Sequence, residues 1–253
     1  MKSPTDRRAF LGALAALGAS SGAASAASGS APATHPASHG QAPRTPDTGF
    51  RFLHAPEIEF LDAALGQLIP SDALGPGARE AGVTRYIDGQ LAGAWGAGAD
   101  QYRQGPWGES SAQLGHQSPL SPQQIYRLGM AAVDEWCMKN HDARFAALSA
   151  SLQVGVLQSL QHGTLDCRTP PDPRFLFALL WRNTIEGFFS DPIYGGNADK
   201  AGWKLIGFPG VASAYGEELR RHNVPYRVPP VSIADMQRHL VEVDGHGHPR
   251  RNA

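Results

Sequence analysis

Apolar residues recur at helical spacing over most of the chain beyond about residue 50. In "HAPEIEFLDAALGQLIPSD", Ile58, Leu61, Leu65 and Leu68 fall on one face. Pro56 suits a first helical turn and Pro70 stops the run. After the turn "PSDALGPGA", the stretch "REAGVTRYIDGQLAGAW" places Val83, Tyr86, Ile87 and Leu91 together. Gly82, Gly89 and Gly93 weaken its intrinsic helicity, so packing must compensate. Residues 96–119 are rich in Gly, Gln and Ser, with Tyr102 and Trp107 embedded, and read as a long loop.

Ser121-Pro122 supplies an N-cap and a first-turn proline for "QQIYRLGMAAVDEWCMKN", whose expected inner face is Ile125, Leu128, Ala132, Val133 and Trp136. "ARFAALSASLQVGVLQSLQHG" reads as one helix or two short ones, ended by Gly163. "DPRFLFALLWRNTIEGFF" is apolar nearly all round, as a central buried helix is. "ASAYGEELRRH" predicts one more short helix. No sustained period-two alternation interrupts this pattern. The expected fold is a single all-α domain with long irregular loops over residues 49–235, followed by a flexible tail at 236–253.

Composition adds bounds rather than detail. With 253 residues, 42% of them hydrophobic, the chain can bury one large core or two small ones. A formal net charge of −1 with no basic stripe argues against a nucleic-acid partner. Only Cys137 and Cys167 are present, and they match no zinc, haem or iron–sulfur spacing.

The first residues carry an address. Arg7-Arg8 precede a short Ala/Gly-rich apolar run, and Ala24-Ser25-Ala26 fits a small-residue cleavage site, so residues 1–27 read as a cleavable signal. The run is too short to anchor well as a membrane helix. In "DRRAFLG", Phe10 and Leu11 follow the arginine pair as in the twin-arginine export motif, a signal read by a translocase rather than a lipid anchor. Residues 28–48 have the Pro/Ala/Ser/Gly composition of a disordered linker. His35 and His39 there, and His246 and His248 in the tail, read as solvated rather than metal-bound.

Catalytic signatures are sparse. There is no G-x-G-x-x-G after a strand, no Walker loop, no G-x-S-x-G elbow and no H-E-x-x-H helix. Cys137 and His141, one helical turn apart, read more simply as a packed thiol near a helix end than as a nucleophile and base. In an oxidising compartment Cys137 and Cys167 could bridge each other, pair with a partner's cysteines, or stay reduced. Glu186, Asp191 and Asp199 lack a flanking histidine or nucleophile. An Asx turn before Pro192 explains Asp191, and the last helical turn explains Glu186.

What remains is "EGFFSDPIYGGNADKAGWKLIGFPG" at 186–210, with six glycines and two prolines. Phe188, Phe189, Ile193, Tyr194, Trp203, Leu205, Ile206 and Phe208 lie in it. Two readings stand. The rings close the domain's own core as a large Ω-type loop, or they form a protein–protein contact surface on a Gly/Pro frame.

The residues at 75–95, 118–134 and 183–210 resemble the gluconate 2-dehydrogenase subunit 3 family, and the likeness runs from about 52 to 210. The resemblance implies a small, non-catalytic subunit of a membrane-associated periplasmic sugar or sugar-acid dehydrogenase, with no cofactor or metal site of its own. A large subunit of the glucose–methanol–choline type would carry FAD, and a multihaem cytochrome c subunit could pass electrons onward. The small subunit would support assembly and twin-arginine export of the folded flavoprotein. On that view Phe188, Phe189, Tyr194, Trp203 and Phe208 are the expected contact residues, with Asp191, Asn197 and Asp199 holding loop shape or making polar contacts. A stand-alone periplasmic enzyme and a cytochrome-binding scaffold are the alternatives.

Overall fold

A computed structural model describes residues 49–99, 101, 104–107, 118–166, 171–211, 220, 222–226 and 228–237. The export motif at Arg7, Arg8, Phe10 and Leu11, the 28–48 linker, Cys167, most of the 212–222 stretch and the four distal histidines lie outside these residues.

Among the described residues the fold is all-α, as expected. Eight α-helices are joined by irregular segments and three short 3-10 turns. They are α1 (Ala55–Leu68), α2 (Val83–Leu91), α3 (Ala94–Ala97), α4 (Pro122–His141), α5 (Ala150–His162), α6 (Pro173–Phe189), α7 (Ala201–Ile206) and α8 (Ile233–Gln237). Among the described residues, extended pairing is limited to two isolated bridges, Asp72 with Gly75 and Gly210 with Val231. No described helix is long and apolar enough to cross a membrane.

Local sequence explains most boundaries. Pro56 sits in the first turn of α1, and Glu57 reaches back to accept the His54 N–H at 2.8 Å. Left-handed Gly82, with φ of 74°, sets the start of α2, so residues 79–82 form a turn before the helix rather than its first turn. Ser121 and Gln124 cap α4 reciprocally, Ser121 Oγ accepting the Gln124 N–H and Gln124 Oε1 the Ser121 N–H. The 143–163 stretch divides into a 3-10 turn (Phe145–Ala147) and α5, which stops at left-handed Gly163. Asp172 accepts the Arg174 N–H at 2.8 Å to open α6, with Pro173 in its first turn.

Helix α6 packs against α1, α2, α4, α5 and α7, and so occupies the centre that its apolar sequence demands. Phe60, Leu61, Leu65, Ile87, Phe145, Leu160, Leu180 and Phe188 are essentially removed from water. Each such side chain contributes roughly 1.5–3 kcal/mol relative to exposure. The face of α4 differs from expectation. Ile125, Tyr126, Met130, Val133 and Cys137 are buried, whereas Leu128 is 41% exposed and Trp136 only half-buried. The reason is Gly129. A Cβ there would lie 2.7 Å from Leu176 of α6, so α4 turns its glycine, not Leu128, toward the centre.

The start of the described chain is clamped. Asp88 accepts the N–H groups of Arg51, Phe52 and Leu53, each at 2.9 Å. Arg127 stacks over the Phe52 ring, donates to the Phe52 carbonyl and pairs with Glu57 at 3.0 Å. These contacts fix residues 51–54 across α2 and α4.

Candidate functional site

The 186–210 stretch begins inside α6 and leaves it at Ser190, whose N–H still bonds to the Glu186 carbonyl. Asp191 Oδ1 then accepts the Ile193 N–H at 3.0 Å, the Asx turn expected before Pro192, and opens the 3-10 turn Pro192–Tyr194. Gly195, at φ of 95°, reverses the chain. Gly196 has no room for a side chain, since a Cβ would stand 2.2 Å from the Gly187 carbonyl oxygen.

Asn197 is the hub of the loop. It is fully buried, in the left-handed region at φ of 49°. Its Nδ2 donates to the Ser190 carbonyl and its Oδ1 accepts the Gly202 N–H, both at 2.8 Å. One carboxamide therefore joins the end of α6 to the start of α7. The next N–H, of Ala198, donates to the Ala81 carbonyl and ties the loop to the turn before α2. Beyond the turn Ala198–Lys200, α7 brings Trp203 back under the loop. Its indole Nε1 donates to the Phe189 carbonyl at 2.7 Å. Left-handed Gly207 ends α7, and Phe208 folds against Trp203 with ring centroids 5.2 Å apart.

The two readings of the rings therefore divide by residue. Phe188 and Trp203 are buried in the domain's own core, with Phe189 and Leu205 half-buried beside them. Ile193 (40%), Tyr194 (57%), Ile206 (59%) and Phe208 (41%) remain exposed. Of the three polar residues singled out, Asp191 and Asn197 hold loop shape through the bonds above. Asp199 is exposed, on a left-handed backbone at φ of 53°.

The structure adds residues that the sequence reading missed. Lys200 Nζ pairs with Asp235 Oδ2 at 2.7 Å, and Ile233 donates its N–H to Asp191 Oδ2 at 2.8 Å. The S-x-x-D pattern at Ser232 and Asp235 is a helix-start signal that could have marked this segment as structured. Buried Asn183 donates to the Tyr126 hydroxyl at 2.9 Å, and burial pushes that phenol far above its ordinary range. A polar pair inside α-helical packing carries no sequence mark of its own.

Glu186, Cys137 and His141, considered above for catalysis, have structural settings. Glu186 pairs with Arg182 one turn back at 2.8 Å. Cys137 is buried, and His141 lies edge-on to Trp136 at 5.5 Å. Burial pushes the Asp134 carboxyl up, and it accepts the Phe145 N–H at 3.0 Å to hold the 3-10 turn. No group of three or more His, Cys, Asp or Glu among the described residues is placed to hold a metal ion.

The family model described as gluconate 2-dehydrogenase subunit 3 matches residues 55–210, from the first residue of α1 to the glycine that closes the loop. No curated protein and no solved structure matches the chain.

Proposed function

Because the chain belongs to the gluconate 2-dehydrogenase subunit 3 family, a family of oxidoreductase subunits, we propose that it is the non-catalytic small subunit of a periplasmic dehydrogenase complex. On this reading it binds an FAD-containing large subunit of the glucose–methanol–choline type and escorts it, folded, through the twin-arginine translocase. The complex is peripheral to the membrane, and FAD belongs to the large subunit. A multihaem cytochrome c is a further member of the assembly.

The observation that carries this reading is the division of labour in the 186–210 loop. Phe188 and Trp203 fix the loop from inside, and the Asn197 hub leaves it little freedom. Ile193, Tyr194, Ile206 and Phe208 are then presented to solvent on a frame already ordered. Apolar contacts that need no further ordering give more of their burial energy to association.

The test is co-expression of the tagged full chain with the flavin subunit, followed by recovery from the periplasm. The flavin subunit should co-purify with its yellow absorbance. In the Arg7→Lys/Arg8→Lys double variant both chains should stay in the cytoplasm. A flavin subunit that still reaches the periplasm in that variant overturns the escort role. Recovery of the wild-type chain alone overturns the docking role.

A further inference from the structure

The described chain beyond Gly210 lies outside the family match, yet it returns to the loop. Val231 donates its N–H to the Pro209 carbonyl at 3.0 Å, and the Val231 carbonyl accepts from Val211 at 2.7 Å. Gly210 makes the crossing possible. It sits at φ of 81°, and a Cβ there would be 2.0 Å from the Val231 carbonyl oxygen. Next, the Ser232 N–H donates to Asp235 Oδ2, and Ser232 Oγ accepts the Asp235 N–H, each at 3.0 Å. This reciprocal cap orders α8 and aims Asp235 at Lys200.

Asp191 is shared between the two segments. One oxygen holds Ile193 of the loop and the other holds Ile233, 42 positions along the chain. Helix α8 packs against the 192–194 turn, so Ile233, itself 37% exposed, stands beside the turn that carries Ile193 and Tyr194. The charges of Asp191, Lys200 and Asp235 are spent on one another's segments. Ile193, Tyr194 and Ile233 are left exposed beside these bonds, while the charged Asp199 and Lys204 are exposed elsewhere on the loop.

We propose that residues 231–235 are a clasp that holds the 191–210 loop in its docking shape, and that Ile233 extends the loop's apolar face toward the flavin-bearing subunit. The docking half of this inference rests on the function proposed above; the clasp half does not. The partner surface it fits presents apolar side chains to Ile193, Tyr194 and Ile233, since Asp191, Lys200 and Asp235 beside them are held within the chain. Part of the recognition then lies outside the region common to the family.

Two variants of the full chain test it. Ending the chain at Pro230 should raise hydrogen exchange at the Ile193 and Gly202 amides at least about tenfold, while α1 and α6 core amides hold. Ile233→Glu keeps the backbone N–H that Asp191 binds, so exchange in the loop should be unchanged. Its recovery of the co-expressed flavin subunit should fall at least about tenfold. Unchanged exchange in the truncated chain overturns the clasp. Undiminished recovery by Ile233→Glu overturns the extended face. A wild-type chain that recovers no flavin subunit overturns the docking reading and the Ile233 role together, and the exchange result still decides the clasp.

Discussion

The Trp203 indole donates its N–H to the carbonyl of Phe189, the last residue of α6, at 2.7 Å. Carbonyls at a helix C-terminus have no partner within the helix, so a buried one needs a donor from elsewhere. Trp203→Phe keeps a ring in the core and removes that donor. It should cost about 1–3 kcal/mol, read as a lower midpoint in urea with an unchanged slope. A variant as stable as the wild type would show that the Phe189 carbonyl does not depend on the indole N–H.

Gly196 and Gly202 lie where two backbones nearly touch. A Cβ would come within 2.2 Å of the Gly187 carbonyl oxygen in one case and 2.1 Å of the Phe188 carbonyl oxygen in the other. Neither obstacle is a side chain that could swing away. Gly196→Ala and Gly202→Ala should each destabilise by about 2–4 kcal/mol, a fall in Tm of roughly 4–16 °C. Gly207 has open space around it and is only left-handed, so Gly207→Ala should cost about 1 kcal/mol. Gly196 and Gly202 have no positive φ, so a loss at either no larger than at Gly207 would mean that the facing backbone gives way rather than clashes.

These contacts explain what the sequence could and could not reveal. Helix positions were legible, because Pro56 sets its own backbone angle and Ser121 and Gly163 bond to residues within four positions. The Asx turn at Asp191 was legible for the same reason. The inner face of α4 was not, since Leu128 and Gly129 exchange roles only once Leu176 arrives from α6. Nor was the division of the aromatic loop. Phe188 and Tyr194 look alike as apolar letters, and only the Asn197 hub and the Trp203 bond decide which is covered. The clasp depends on partners 35 and 42 residues apart, beyond the reach of any local pattern.

Tyr194 and Ile206 are the most exposed apolar side chains of the loop. Their removal takes little from the folded chain, so Tyr194→Ala and Ile206→Ala should each change stability by no more than about 0.5 kcal/mol. If either is a central contact, its loss should weaken binding of the flavin subunit by about 2 kcal/mol, roughly 30-fold in Kd. Surface plasmon resonance on the purified wild type and variants measures this directly. Affinity unchanged in both variants would remove these side chains from the docking face.

Asp235 gives the clasp a defined response to acid. Burial works against its charged form, but hydrogen bonds from Lys200 and Ser232 outweigh that and hold the carboxyl below its usual range. A group whose pKa is depressed by folding contributes fully above its unfolded value, about 3.9, and loses that contribution as pH falls through the lower folded value. The clasp should therefore be intact at neutral pH and through the mildly acidic range, and loosen only below about pH 4. The Ile233 amide resonance, followed by NMR from neutral pH downward, should stay constant and then shift in that acid range. A second variant tests the assignment to Asp235. In Asp235→Asn the Lys200 ion pair is gone at every pH, so the clasp should be weaker already at neutrality and the acid step should be lost. A wild-type transition between pH 5 and 7 would contradict the depressed Asp235 and point to a different group controlling the segment.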